Sequence, residues 1–338
     1  MRNLAFINLN ALKENALKIR EKLKPETKFC AVVKADAYGH GAEKCANALY
    51  PIVDCFAVAI AEEGIRLRLS GIDKDILVLT PAFKEDLSAA VGKGLTLSIE
   101  NAGQLPSVLR ECERQNKSVK IHIKYDTGMN RFGAKSLTEI REILRFARGN
   151  PRIVVDGLYS HLSRPEDIKD TETQRKKFLL ANKLVKGYNR NITAHLSASG
   201  GFLSGEEFDM VRIGILLYGY KPFPSEKVIV KPVMKIYSPV LKRFDLKKGE
   251  SALYGKRVAE RDEDLSLVRY GYADGLPRKE SVFTFNNMCM DVSLFKNVGG
   301  GSWFCVLKNA EELAAGFDTI SYETLTKAAV RAEKIYIT

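Results

Sequence analysis

Phe29-Cys-Ala-Val-Val-Lys-Ala-Asp-Ala-Tyr-Gly-His-Gly41 is the stretch on which the reading of this chain turns. Cys30 to Val33 form a short apolar, β-branched run, the pattern of a buried strand. Lys34 ends it, and burial there can lower the pKa of the amine and make it a nucleophile. Tyr38, Gly39 and Gly41 follow at once, a turn that could approach an anionic ligand closely. The competing reading is a solvated lysine at an ordinary strand end.

Outward from this stretch the chain alternates strand-like and helix-like segments. Strands are expected at Phe29–Lys34, Cys55–Ile60, Asp75–Leu79, Leu95–Ile99, Val119–Tyr125, Ile153–His161, Ile192–Ser197 and Val211–Leu217. Between them lie amphipathic runs such as Ala102–Arg114, with Leu105, Val108, Leu109 and Cys112 at helical spacing. Eight short strands separated by helices predict a parallel (β/α)8 barrel of the TIM type over residues 9–223. A doubly wound sheet competes, but its glycine-rich fingerprint after the first strand is absent.

Near Lys221-Pro-Phe-Pro224 the rhythm changes. Val233–Val240, Glu250–Tyr254, Leu265–Tyr270, Val282–Phe285, Val292–Phe295 and Trp303–Leu307 are strand-like, with turns at Lys247-Lys-Gly-Glu250 and Gly299-Gly-Gly-Ser302. They predict a mostly β domain over 224–338, joined by an N-terminal strand within residues 1–8.

Composition restricts the function classes. The 338 residues are 45% apolar and 28% charged, suited to a globular fold with a sizeable core. No apolar run approaches the ~20 residues of a membrane span, and the N-terminus lacks a signal-peptide pattern. The net charge of +12 is dispersed among acids on helical faces, as in Glu139-Ile-Arg-Glu-Ile-Leu-Arg-Phe-Ala-Arg148, so neither a nucleic acid nor a membrane is an expected partner. Six scattered cysteines without metal spacing predict free thiols in a cytoplasmic protein, and no metal site.

In a (β/α)8 barrel the reactive groups gather at the C-terminal strand ends. Lys34, Lys124 with Asp126 and Arg131, His161, His195 with Ser197 and Ser199, and Arg212 occupy those ends here. Each has a plainer reading: His161 as a satisfied core histidine, Arg212 as the partner of a carboxylate, His122 and His195 as structural, His40 as packing. Gly214 and Ile215 offer backbone amides, and Ser199-Gly-Gly201 a hydroxyl and a turn, to one anion.

Val33-Lys-Ala-Asp-Ala-Tyr-Gly-His-Gly41 closely resembles the lysine segment of the alanine racemases, in which the lysine carries pyridoxal 5'-phosphate as an imine. The resemblance covers nearly the whole chain. Lys124-Tyr-Asp-Thr-Gly-Met-Asn-Arg-Phe-Gly133 is similar to the segment that binds the substrate carboxylate, which implies that role for Arg131; in some members the lysine at Lys124 is carbamylated. Val211-Arg-Ile-Gly-Ile-Leu-Leu-Tyr-Gly219 resembles the segment whose arginine, here Arg212, meets the pyridine nitrogen, with Gly214 and Ile215 at the phosphate. By the same resemblance His161 lies beside the cofactor ring, and Tyr38, Ser199 and Tyr322 are phosphate ligands.

The second domain carries the rest. Ala252-Leu-Tyr-Gly255 resembles the segment whose tyrosine, Tyr254, enters the site from the other subunit as a base. Gly271-Tyr-Ala-Asp-Gly275 implies an entrance role for Tyr272, with Arg278 shortly after. Cys289-Met-Asp291 resembles the loop whose methionine amide, at Met290, helps to hold the substrate carboxylate. Two positions depart from the family: Asn286-Asn-Met288 replaces a Gly-Arg pair, and Ala198 stands where an asparagine is usual.

The resemblance implies a cytoplasmic homodimeric isomerase with shared active sites. It would interconvert L-alanine and D-alanine by two-base proton transfer between Lys34 and Tyr254, supplying D-alanine for bacterial cell-wall peptidoglycan. Lysine and tyrosine side chains titrate near ~10 in water, so burial or nearby cations must lower such bases. Two alternatives stay open: a broader amino-acid racemase or decarboxylase, and a cofactor-carrying binding protein. The latter would have no use for Tyr254 or Cys289-Met-Asp291.

Overall fold

The computed structural model describes residues 2–81, 85–296 and 298–338. Its first strand, β1 (Leu4–Asn8), ends on an asparagine whose side chain accepts the Ala11 amide at 2.9 Å, capping the helix Leu9–Arg20. Met1, part of the strand expected within 1–8, lies outside the described residues.

Eight parallel strands follow: β2 (Lys28–Val32), β3 (Cys55–Val58), β4 (Ile76–Val78), β5 (Thr96–Ile99), β6 (Val119–Lys124), β7 (Ile153–Tyr159), β8 (Thr193–His195) and β9 (Met210–Ile213). They pair in sequence from β2 to β8, and β9 returns to pair with β2. Between β8 and β9 the Arg212 amide donates to Ser197 O at 2.9 Å and the Asp209 amide to Ala194 O at 3.0 Å. The eight strands thus form a nearly closed barrel, as the alternation predicted. Phe29, Phe56, Leu97, Ile121, Leu158 and Val211 are fully buried in its walls, the burial that drives such a fold.

All eight barrel strands lie where the sequence places them, and most are shorter. The first ends at Val32 rather than Lys34, and the sixth at Tyr159 rather than His161. Both functional candidates therefore stand on loops just past their strands, where the backbone leaves the ladder.

A second sheet has the order β12-β11-β10-β1-β14, where β10 is Met234–Leu246, β11 Glu263–Val268, β12 Ser293–Lys296 and β14 Glu333–Ile337; β13 (Trp303–Leu307) also pairs with β10. The N-terminal strand joins it as expected, antiparallel to β10 and parallel to β14. The strands expected at Glu250–Tyr254 and Val282–Phe285 reduce to single bridges, Tyr254 with Asn287 and Thr284 with Phe295. Leu253 and Asn286, both at φ 60°, take the left-handed conformation and break the extended backbone there. Helices Ala310–Gly316 and Ser321–Ala328, absent from the sequence reading, pack against each other, and the second also meets the Lys34–Tyr38 turn of the barrel. Among the described residues, no helix is long and apolar enough to cross a membrane, and no metal-binding cluster occurs. All six cysteines are free.

Candidate active site

A cavity of about 610 Å³ opens at the C-terminal ends of the barrel strands. Lys34, Lys124, Arg131, His161 and Arg212, from four different strand ends and one loop, line it together with Tyr322 from the second domain. Lys34, Lys124, Arg131, His161, Ser199 and Arg212 thus converge as expected, whereas Asp126, His195 and Ser197 do not line this cavity.

Lys34 is placed by an unusual turn. Ala35, Asp36, Ala37 and Tyr38 all have φ between 51° and 55°, a left-handed turn without a glycine. Such backbone costs roughly 1–2 kcal/mol per residue, so its surroundings must hold it. The Ala35 amide donates to Glu63 Oε1 at 2.6 Å, and the Ala42 amide donates to Asp36 Oδ1 at 2.7 Å. His40 Nδ1 lies 2.9 Å from Ala37 O and 3.0 Å from Tyr38 O, while its ring stacks on Tyr218 at 4.6 Å. His40 thus fastens the turn, a larger part than the packing role the sequence suggested.

The cations share the cavity without neutralising partners. Among the described residues, Lys34, Lys124 and Arg131 have no carboxylate within ion-pair distance. Burial, then the charge of Arg131, pulls the Lys34 amine below its ordinary range. Burial, then Arg212 and Arg131, brings the Lys124 amine down to about 7. His161 is held well below its ordinary range by burial and the surrounding cations, so its ring stays neutral. The loop carrying Arg131 is set by Asp126, whose Oδ1 accepts the Gly128 and Asn130 amides at 2.9 and 3.1 Å.

One wall of the cavity is a cradle of donors. Ser199 Oγ accepts the Gly214 amide at 3.2 Å, and Ile215 begins the short helical turn Ile215–Tyr218, whose first amides have no partner within the turn. Tyr38 and Tyr322 face each other with ring centroids 6.1 Å apart. Burial pushes both phenols up, that of Tyr322 to about 12, so both remain hydrogen-bond donors at neutral pH. A Cβ at Gly214 would overlap the Tyr38 hydroxyl and lie 3.1 Å from its Cζ. The Tyr38 hydroxyl therefore stands against this wall only because residue 214 is glycine. Two hydroxyl-bearing rings, a serine and consecutive amides suit a phosphate group.

Residues 7–222 match the family described as alanine racemase, N-terminal domain, and residues 233–336 match the alanine racemase C-terminal domain. The chain belongs to the alanine racemase family. An alanine racemase of Aquifex aeolicus is 31% identical over 99% of both chains, and one of Mannheimia succiniciproducens is 37% identical over 79% of this chain and 75% of that one. Among solved structures, the alanine racemase of Clostridium difficile 630 superposes with a TM-score of 0.92 at 26% identity, covering 100% of this chain and 96% of its own. As a member of this family the chain is an isomerase.

The racemase-like residues of the second domain lie apart from the cavity within one chain. Tyr254, 64% exposed, and Met290, 54% exposed, are not among the residues that line it; neither are Tyr272, Arg278, Cys289 and Asp291. They gather with one another instead. The Arg278 guanidinium stands 5.9 Å from the centre of the Tyr254 ring, and the Tyr272 and Ala273 amides donate to Cys289 O and Met290 O. Asp291 accepts Arg331 Nη1 at 2.8 Å.

The departure at Asn286 has a structural role. Its Oδ1 accepts the Arg257 amide at 3.0 Å, and its Nδ2 donates to Ala252 O at 2.9 Å and Arg257 O at 3.2 Å. The Asn287 amide donates to Tyr254 O at 3.0 Å. The two asparagines fasten both sides of the loop that presents Tyr254. At the other departure, Ala198 precedes the helix Ser199–Leu203 without capping it through a side chain.

Sequence reasoning missed Tyr159. The Tyr159 hydroxyl donates to Leu79 O at 2.9 Å and lies 2.6 Å from Ser98 Oγ. Its ring faces Lys124 Nζ at 4.5 Å and the Arg212 guanidinium at 5.2 Å. The signal was present in the alternation of β7, which points Tyr159 inward beside Lys124.

Proposed function

We propose that this chain interconverts L-alanine and D-alanine on bound pyridoxal phosphate, with Lys34 and Tyr254 moving the α-proton on opposite faces. The observation that carries this reading is the Lys34 amine, lowered by burial and free of a carboxylate partner, beside a cradle suited to phosphate.

Pyridoxal phosphate supplies the electron sink that a free amino acid lacks when its α-proton leaves. The chain's task is to hold that group and to carry protons. Tyr38, Ser199, Tyr322 and the Gly214 and Ile215 amides would bind the phosphate, and Lys34 would hold the other end through its amine. Arg131, with the Met290 amide, would fix the substrate carboxylate. Neutral His161 would flank the bound group without adding charge, and cationic Arg212 would hold its pyridine end.

Lys34 Nζ accepts or returns the proton on one face and Tyr254 Oη on the other. A lowered amine pKa favours Lys34 in this role, because more of it is unprotonated near neutrality. Since Tyr254 lies outside the cavity of its own chain, the second base would come from a partner copy, with Tyr272, Arg278, Cys289 and Asp291 shaping the entrance. The active unit is then a homodimer with two shared sites. The barrel unit would be 9–223, and 224–338 with residues 1–8 would be the unit that delivers Tyr254. Six free thiols support placing the enzyme in the reducing cytoplasm, where D-alanine would feed bacterial peptidoglycan synthesis.

In deuterium oxide the loaded protein should exchange the α-proton of both alanine isomers and racemise alanine faster than serine, lysine or arginine. Faster turnover of one of those would replace alanine as the substrate. Absence of exchange on any amino acid would overturn the racemase reading.

A further inference from the structure

We infer that His122 and His195, hydrogen-bonded in line and anchored by the Asp156 carboxylate at ion-pair distance, form a strut through the barrel core that positions Arg212, which makes the two histidines positioning residues for this site. The strut begins at Asp156 on β7, whose Oδ2 stands 3.5 Å from His122 Nε2 on β6. His122 Nδ1 lies 2.8 Å from His195 Nε2 on β8, and His195 Nδ1 lies 2.6 Å from Arg212 Nη1 on β9. Four residues from four strands are thus linked in line. Asp156 is part-exposed and borders a small cleft with Lys28, Asp75 and Thr193 near the N-terminal strand ends. His122, His195 and Arg212 are buried. The line therefore runs from one face of the barrel to the cavity on the other.

The chemistry of the last member fixes every proton in the line. A guanidinium only donates, so His195 Nδ1 must accept and its hydrogen must sit on Nε2. That Nε2–H donates to His122 Nδ1, which leaves the His122 hydrogen on Nε2, directed at the carboxylate. Burial holds both rings below their ordinary pKa, in keeping with two neutral imidazoles. Because Arg212 cannot accept, the line passes no proton to the cavity. It sets a position.

The remaining contacts of Arg212 show what is positioned. Nη1 also donates to His195 O at 3.0 Å, and Nη2 donates to Ser160 O at 2.6 Å and Leu196 O at 3.1 Å. Among the described residues Nε has no partner, and Arg212 lines the cavity. Four hydrogen bonds thus fix the fork and leave Nε–H for whatever occupies the cavity. The fold makes room for the strut: a Cβ at Gly157 on β7 would lie 2.6 Å from His122 Cδ2. The His195 ring also lies flat on Tyr159, 5.0 Å away and 4° from parallel. Polar groups so deep in a barrel are costly unless satisfied, and of the Arg212 donors only Nε–H is left to the cavity.

The link to Arg212 rests on the pyridoxal-phosphate reading, whereas the strut itself does not, so two measurements separate them. The chain has four histidines, and 15N-histidine spectra of the cofactor-free protein at pH 7 should show His122 and His195 both as neutral Nε2–H tautomers. A hydrogen on His195 Nδ1, or an imidazolium at either position, would overturn the strut. With pyridoxal phosphate, His195→Phe keeps the ring stacking but removes the acceptor. It should bind the cofactor about tenfold more weakly, the scale of one lost hydrogen bond to a charged group, and shift its absorption band. His195→Asn places an oxygen where Nδ1 stood and should restore both; His195→Gln, whose amide falls near Nε2, should not. Equal cofactor affinity and spectrum for the Asn and Gln variants, or a folded Phe variant matching the native protein, would overturn the positioning role. Failure of the native protein to bind pyridoxal phosphate would instead count against the proposed function.

Discussion

Gly214 faces the Tyr38 hydroxyl so closely that a Cβ at residue 214 would lie 3.1 Å from Tyr38 Cζ and overlap the oxygen. Gly214→Ala should therefore close the phosphate cradle while leaving the barrel folded. Overpacking of this kind costs ~1–3 kcal/mol, equivalent to roughly a tenfold or greater loss of cofactor affinity. Adding Tyr38→Phe removes the overlapping oxygen and should recover part of that loss. Titration of each variant with pyridoxal phosphate checks the order.

Lys34 should be the residue to which pyridoxal phosphate becomes bound. After loading, borohydride reduction and peptide mapping should place the label on Lys34 alone, and Lys34→Ala should take none. The lowered pKa of this amine also predicts that cofactor-free protein reacts with a limiting amine reagent at Lys34 sooner than at its exposed lysines. Label on Lys124 instead would exchange the roles assigned to the two buried lysines.

The eight barrel strands were legible because apolar runs buried on both faces carry a strong one-dimensional pattern. The short motifs around Lys34, Arg131 and Arg212 were legible for a different reason, their likeness to a family. What stayed hidden depends on distant pairs. The left-handed turn at Ala35–Tyr38 has no glycine to announce it and exists because Glu63 and His40 hold it. His122 and His195 are 73 positions apart, and only the strand order of the barrel brings their ring nitrogens to 2.8 Å across β7. Glu250–Tyr254 alternates like a strand, yet Asn286 draws its backbone into a loop.

Asn286→Ala should loosen the Tyr254 loop. Its four side-chain hydrogen bonds join Ser251, Ala252 and Arg257 on either side of Tyr254, and the Asn286 side chain is buried. Leaving those groups unpaired should cost ~1–3 kcal/mol of local stability, seen as faster amide exchange at Ala252–Arg257. Activity should fall through kcat, because the base is misplaced while Arg131 still binds the carboxylate. Unchanged exchange in that loop would remove Asn286 from this role.

Lys124 should make stability depend on alkaline pH. Its folded-state pKa, about 7, lies below the ordinary lysine value, so the unfolded chain binds the extra proton between about pH 7 and 10. Proton uptake on unfolding means that stability rises with pH across that window and is lost as pH falls towards 7. Lys124→Met removes the group and should flatten the rise relative to the native protein. Paired denaturant titrations from pH 6.5 to 10 measure the difference directly. A native curve no steeper than that of the methionine variant would show that this amine keeps its proton in the folded state.

Tyr254 and Lys34 should complement each other across chains. Lys34→Ala and Tyr254→Phe homodimers should each lose at least one proton carrier at both sites, and general-base losses are of the order of ~10²–10⁴. Mixing the two under subunit exchange yields heterodimers in which one site has both groups intact and the other has neither. Random exchange of equal amounts makes about half of the dimers heterodimers with one good site each, so activity should recover to roughly a quarter of native. The exposed position of Tyr254 outside its own cavity requires this outcome if the second base comes from the partner. Native mass spectrometry establishes that exchange took place. Proven exchange with no recovered activity would return both bases to a single chain, which would then have to close its second domain over its own barrel.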